Sequence, residues 1–217
     1  HSFWMTDEER KMQKELQFLE EQEVSPVLIE QVEAFRKEYP VHEEVRNRIS
    51  EPKIPFYGKE ILEMAMAALL QGSNLLLTGG KATGKNILAE NLAWMFGRPS
   101  YNISFNVNTD SSSLIGTDTF RNNEVQLRKG SVYRCAEEGG FGVFDEINMA
   151  KNDAASVLHA TLDYRRMIDV PGYERIELHP ATRFIGTMNY GYAGTRELNE
   201  ALVSQIGRAS CRERVSY

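Results

Sequence analysis

NLLLTGGKATGKNILAENL, residues 74–92, is the stretch on which the reading of this chain turns. Leu75, Leu76 and Leu77 form an apolar run that stops at Thr78, a glycine-rich loop follows, and Leu88, Leu92 and Met95 then recur at helical spacing. Strand, tight loop and helix form the context in which Gly79-x-x-x-x-Gly84-Lys85 means a phosphate cradle. The loop Gly79, Gly80, Lys81, Ala82, Thr83, Gly84 can curl so that successive N–H groups point at phosphate oxygens. The helix opening at Lys85, Asn86 and Ile87 adds the partial positive charge of its N-terminus, and Lys85 reaches the terminal phosphates. One position departs from the pattern. A Ser or Thr after the lysine would place a hydroxyl on Mg²⁺, and here the residue is Asn86.

The second chemical motif is FGVFDE, residues 141–146. An apolar strand delivers two acids at its C-terminal end, the edge where parallel α/β sheets bind ligands. Asp145 is the candidate Mg²⁺ holder and Glu146 the candidate group for polarising an attacking water. An apolar run ending in Asp-Glu carries little meaning alone, since such acids also begin loops and cap helices. About 60 residues after a phosphate loop it carries much more, because hydrolysis needs a phosphate holder and a metal-and-water holder together. A third strand, residues 182–187, ends in Met188-Asn189. Asn189 is either a simple turn residue or, on the same sheet edge as Asp145, a contact to the terminal phosphate or its water.

Around these motifs the chain divides at EPKIP, residues 51–55, where two prolines resist both helix and central strand. Residues 1–50 hold 12 acids and 7 bases, most of the whole chain's net charge of −6, and they read as two helices. The first, residues 6–22, carries Met12, Leu16 and Leu19 on one stripe. The second opens at Ser25-Pro26 and carries Leu28, Val32, Phe35 and Tyr39. Such a pair is either a partner-binding arm or a packed appendage with a solvated acidic face, and the second reading is preferred. Met5 is a candidate natural start. Tyr57 and Gly58 are candidates to flank the base of a bound nucleotide, the alternative being plain linker packing. A helix follows to Gly72. Further on, Asp110 caps a short helix before Leu114, residues 119–128 read as a hairpin around Asn122-Asn123, and a helix runs from Gly130 to Gly139. Residues 148–162 read as helical with Val157, Leu158 and Thr161 inward, and residues 167–178 as two short strands around a Pro171-Gly172 turn. His159 is read as a packed side chain, since no second His or Cys stands at metal spacing.

A hydrophobic content of 41% over 217 residues suits one globular core. No apolar run approaches a membrane span, and no signal pattern opens the chain, so the cytoplasm is the expected location. Cys135 and Cys211 make neither a disulfide framework nor a metal-ligand spacing, which fits a reducing compartment. No basic stripe tracks along the sequence, which disfavours a nucleic-acid partner.

The phosphate loop, the Asp145-Glu146 strand and the Thr187-Met188-Asn189 strand, in this order and spacing, resemble the AAA+ ATPases over residues 51–204. Within them, Asp145-Glu146-Ile147-Asn148, the insertion before Gly130, the hairpin before Asn189 and Leu198-Asn199-Glu200-Ala201-Leu202 resemble the MoxR-related and dynein-related (CbbQ/NorQ-like) group. The resemblance implies an α/β P-loop NTPase fold with a three-layer αβα core and a parallel sheet, preceded here by a small helical segment. It implies ATP and Mg²⁺ as ligands, with Lys85 matching the Walker A lysine, Asp145 and Glu146 the Walker B pair, and Asn189 the sensor-1 residue. It further implies a hexameric ring of identical subunits, both hairpins facing the pore or a client protein, and a partner carrying a von Willebrand factor A domain. The alternatives are a nucleotide-held assembly or sensing module with little hydrolysis, favoured by Asn86, and a DNA-linked AAA+ motor, disfavoured by the charge.

After Ser204 the family pattern asks for Arg-Phe, and the sequence instead continues QIGRASCRERV. That string resembles a translated sequencing adapter, since ATC GGA AGA GCG TCG TGT AGG GAA AGA GTG reads IGRASCRERV. Residues 205–217 are therefore expected to be non-native. Arg208, Arg212 and Arg214 are not taken as arginine fingers, and the lid of the family is expected beyond what is written here. On that expectation the chain as written folds poorly or hydrolyses little.

Overall fold

The computed structural model describes residues 5–189. The tail at 205–217, the 198–202 segment and the residues before Met5 lie outside the described residues. The order is α1 (Asp7–Glu21), α2 (Pro26–Glu38), a 3₁₀ turn (Glu43–Arg48), α3 (Lys59–Leu70), β1 (Leu75–Gly79), α4 (Lys85–Met95), β2 (Ser100–Ser104), α5 (Ser111–Leu114), β3 (Gly116–Arg121), β4 (Glu124–Lys129) and α6 (Ser131–Glu138). There follow β5 (Phe141–Asp145), a 3₁₀ turn (Ile147–Met149), α7 (Asn152–Leu162), β6 (Met167–Ile168), β7 (Ile176–Glu177) and β8 (Arg183–Asn189).

Four strands form one parallel sheet in the order β1-β8-β5-β2. Both faces are covered over β1, β5 and β8, which are buried along nearly their whole length, whereas the edge strand β2 alternates buried and exposed residues. Leu75, Leu77, Phe141, Val143 and Ile185 point to the side of α3 and α4, where Leu62, Leu69, Leu92 and Phe96 pack. Leu76, Ile103, Phe144, Phe184 and Met188 point to the other side, against Leu114, Val132, Ala136 and Leu158. The period-two alternation of β1, β5 and β8 therefore feeds two cores, giving the three-layer αβα fold expected from the sequence.

The acidic helices pack onto the first of these cores. Leu19, Val24, Ile29, Val32 and Phe35 are buried in the same cluster as Leu62, Met66 and Phe96. A capping box of Thr6 and Glu9 starts α1, whereas Ser25 makes no side-chain cap and Pro26 alone presets the first turn of α2. Arg36 of α2 pairs with the buried Glu15 of α1 and donates to the carbonyl of Met95 at 3.1 Å, at the C-terminal end of α4. That approach needs Gly97. Its φ is +60°, and a Cβ there would come within 2.7 Å of the Arg36 guanidinium.

Two further arginines are built into the edge of the sheet opposite the strand C-termini. Arg98 Nε donates to Gly139 O at 2.8 Å and its guanidinium also reaches Tyr39 O. Arg183 donates to Leu69 O at 2.8 Å and Pro180 O at 2.7 Å. Burial, followed by the nearby charges of Arg183 and Arg36, lowers the pKa of Arg98 to about 10, and burial beside Arg166 does the same to Arg183.

Two local expectations needed adjustment. The helix read over 148–162 starts only at Asn152, because Ala150 and Lys151 are extended after the 3₁₀ turn. Its buried face is Ala154, Leu158, Thr161 and Leu162, with Val157 half-buried. The hairpin read over 119–128 is longer, pairing Gly116 with Lys129 through to Arg121 with Glu124. Asn122 and Asn123 both have positive φ, the turn geometry that matches strand twist. No helix among the described residues is long and apolar enough to cross a membrane.

Candidate functional site

β1 ends at Gly79, and the loop to Gly84 curls back over that end before α4 begins. Two residues of the curl, Ala82 (φ 62°) and Gly84 (φ 83°), are left-handed. A Cβ on Gly79 would lie 2.9 Å from Thr83 Oγ1, so the first glycine is required by the closeness of the loop to itself. Thr83 Oγ1 donates to Gly80 O at 2.9 Å. The Lys85 ammonium sits within the curl, donating to Gly80 O at 2.6 Å and Thr83 Oγ1 at 3.1 Å. Gly80 is half-buried, whereas Lys81, Ala82 and Asn86 are exposed; Ile87 is half-buried, with its carbonyl accepting from Asn91 Nδ2 at 2.8 Å.

Strand register brings the other two motifs to this edge. Gly79 is directly paired with Asn189, so the half-buried Asn189 lies beside the start of the loop. On the next strand over, Asp145 Oδ1 accepts a hydrogen bond of 2.7 Å from Thr187 Oγ1, and the same hydroxyl accepts from the Glu146 N–H at 3.4 Å. Glu146 is exposed and holds a left-handed backbone (φ 53°, ψ 46°), a conformation costing on the order of 1 kcal/mol for a non-glycine residue and concentrated at functional sites. Thr187, 1% exposed, thus ties the two acids to β8. Its role was not read from the sequence. The available signal was its place two residues before Asn189, on the same strand face.

A shallow cleft opens beside the loop, with Thr83, Gly84 and Lys85 at its polar end and Phe56, Ile61, Leu77 and Leu88 at its apolar end. Tyr57 does not line it. The residue is 74% exposed, and its ring tilts against Phe18 at 6.1 Å between centroids. Gly58 precedes α3, and its N–H donates to Gln22 Oε1 at 3.2 Å. The aromatic at the cleft is the neighbouring Phe56, which no periodicity in a linker could distinguish from Tyr57.

The donor set suits a hard cation only in company. Among the described residues no group of three or more His, Cys, Asp or Glu gathers as a metal cage. The Asp145 carboxylate and the Asn86 carboxamide are oxygen donors of the kind Mg²⁺ takes, and Mg²⁺ completes its shell with water and substrate phosphates rather than a protein cage. The loop that a Cβ at Gly79 would jam is the matching phosphate cradle. The residues present therefore fit a Mg²⁺-bound nucleoside triphosphate.

The family described as AAA domain (dynein-related subfamily) matches residues 74–206. YojN, an uncharacterized protein of Bacillus subtilis, is 35% identical over 175 residues, covering 78% of this chain and 58% of its own length. An uncharacterized Staphylococcus epidermidis protein is 36% identical over 152 residues, covering 67% of this chain and 58% of its own length. The chain thus spans a little over half the length of the curated relatives it matches. A solved structure described as a "putative ATPase" from Cytophaga hutchinsonii superposes with a TM-score of 0.52 at 17% identity, covering 95% of this chain and 53% of that one, a likeness of fold.

Proposed function

Because the chain belongs to the dynein-related subfamily of AAA domains, we propose that it binds ATP with Mg²⁺ at the 79–87 loop and hydrolyses it. The observation that carries this is the convergence of three strand ends: Gly79 paired with Asn189, and Asp145 bonded to Thr187. The backbone N–H groups of the loop and Lys85 hold the phosphates. Asp145, with Asn86, holds the metal, which supplies charge neutralisation on the transferring phosphoryl group. Glu146, exposed just past the strand end, polarises the attacking water, and Asn189 positions that water or the terminal phosphate. Phe56 and Ile61 shelter the base, in place of Tyr57.

The reading extends to the whole protein. A MoxR-like ATPase in the cytoplasm would assemble as a hexameric ring, engage a partner with a von Willebrand factor A domain, and remodel or activate a client complex, presenting the β3–β4 and β6–β7 hairpins to it. The β3–β4 hairpin supports this by projecting apolar groups, Phe120 at 72% and Val125 at 63% exposure. Steady-state hydrolysis by the natural protein carrying this sequence, with and without DNA, tests the proposal, with Glu146→Gln as control. Turnover above that of Glu146→Gln and indifferent to DNA supports it, and stimulation by DNA replaces it with a nucleic-acid motor. The exposed Asn86, which brings no hydroxyl to the metal, favours the second reading of a nucleotide-held assembly module. Tight ATP binding with turnover no higher than Glu146→Gln selects that reading.

A further inference from the structure

The linker between the acidic helices and the ATPase core is held by two side-chain carboxamides. Gln22, at the end of α1, donates through Nε2 to Phe56 O at 2.9 Å and accepts through Oε1 from the Gly58 N–H at 3.2 Å. Asn91 of α4, fully buried, accepts from the Phe56 N–H at 3.1 Å and donates to Ile54 O at 3.0 Å and to Ile87 O at 2.8 Å. Both backbone polar groups of Phe56 are thereby fixed by side chains from different elements. The ring of Phe56, held at that point, lies 3.8 Å from where a Cβ of Gly84 would stand and walls the apolar end of the cleft. Gln22 is anchored in turn: Phe18 of the same helix packs edge-on to Trp94 of α4, and Glu15 pairs with Arg36.

We propose that Gln22 and Asn91 are positioning residues for the nucleoside half of the substrate, so that the N-terminal helical pair sets the geometry of the nucleotide cleft through Phe56. The inference rests on the reading of the cleft as an ATP site. Its chemistry is specific. A carboxamide offers a donor and an acceptor on one planar group, which is what a backbone carbonyl and an N–H two residues on require together. Neither Glu nor Met at position 22 supplies both. The effect falls on the apolar end of the cleft, because the phosphate end is held by the loop's own hydrogen bonds and by Lys85.

The test compares ATP with inorganic tripolyphosphate, each with Mg²⁺, by calorimetric titration of the wild type, Gln22→Met and Gln22→Glu. The wild type is expected to bind ATP more tightly than tripolyphosphate. Gln22→Met is expected to weaken ATP about tenfold, the scale of two modest hydrogen bonds, and to leave tripolyphosphate unchanged. If the wild type shows no preference for ATP, the cleft is not a base site and the underlying reading fails with the inference. If the wild type shows the preference and both variants keep it, the inference alone is overturned. An equal loss for both ligands also overturns it, as general loosening of the fold. Thermal melting reports whether Gln22→Met is folded, and where it is not, the half-exposed and isosteric Gln22→Glu decides by the same split.

Discussion

Thr187, outside the recognisable motifs, and Asn86, the departure within the phosphate-loop pattern, are two residues on which turnover is expected to depend. Thr187 supplies Asp145 with a donor at 2.7 Å and takes the Glu146 N–H, so one hydroxyl orients both acids. Thr187→Val keeps the shape and removes the hydroxyl. Partners that orient a metal-holding carboxylate are typically worth about 10–100-fold, so kcat is expected to fall by that order with little change in KM for ATP, and Thr187→Ser to restore most of it. A Thr187→Val protein with unchanged kcat would show that the acids orient themselves. Asn86 is the second residue of α4 and exposed, so its replacement perturbs no packing. Asn86→Thr is expected to raise turnover about tenfold and to lower the Mg²⁺ concentration needed for half-maximal rate, because a hydroxyl then stands where the phosphate-loop pattern places one. Equal Mg²⁺ dependence in the two proteins would mean that the carboxamide oxygen serves as well. Lys85 and Asp145 were legible because their meaning lies in local spacing. Thr187 was not, since its meaning lies in the register of β8 against β5.

At the scale of elements, what could be read was whatever the chain settles locally. The strand-ending Gly79, the Pro26 start of α2 and the Asn122-Asn123 turn carry their conformations in their own residue types. The late start of α7 was hidden, because extended Ala150 and Lys151 separate the 3₁₀ turn from the helix and no residue type there signals a break. The loop leading into β8 gives this scale its prediction. His179 Nδ1 accepts the Ala181 N–H at 3.0 Å and stacks edge-on against Tyr39, joining that loop to the end of α2. Burial, followed by the nearby charges of Arg98, His42 and Arg166, lowers the pKa of His179 below its ordinary 6.5. The native state thus resists a proton that the unfolded chain accepts. The corresponding stability is fully present above pH 6.5 and is lost progressively as pH falls from there toward the lowered native value. His179→Asn keeps an acceptor for Ala181 and cannot titrate. Its melting temperature is expected to fall less than that of the wild type between neutral pH and about pH 5, a window in which histidine is the side chain that ordinarily changes charge. Parallel acid profiles for the two proteins would remove His179 from the acid response.

For the whole molecule the question is whether the acidic helices are an arm or part of the body. The prolines at 52 and 55 mark a change in the chain, and the charge difference across them suggests two units; the packing does not follow that division. Leu19, Val32 and Phe35 are buried with Leu62, Leu69 and Phe96 in one cluster, and Phe35 stacks edge-on to Phe96 at 5.4 Å. A boundary of this kind is legible as a linker, but sequence alone does not say how much apolar surface crosses it, because Leu and Phe at helical spacing look the same whether they face a neighbouring helix or another domain. Burying a large aliphatic or aromatic side chain stabilises by about 1.5–3 kcal/mol, and a domain is stable by only about 5–15 kcal/mol in all. Several such side chains meet at this junction, so it is comparable in weight to the stability of the entire fold. Removing residues 1–50 would uncover Leu62, Met66, Trp94 and Phe96 and strip Met95 O of its Arg36 donor. The shortened chain is expected to be insoluble or to elute as aggregates, while the intact chain unfolds in a single calorimetric transition whose van't Hoff and calorimetric enthalpies agree. A soluble monomeric core with an unchanged melting temperature would show instead that the helices are an arm resting on a self-sufficient ATPase domain, and the cleft would then have to hold its shape without them.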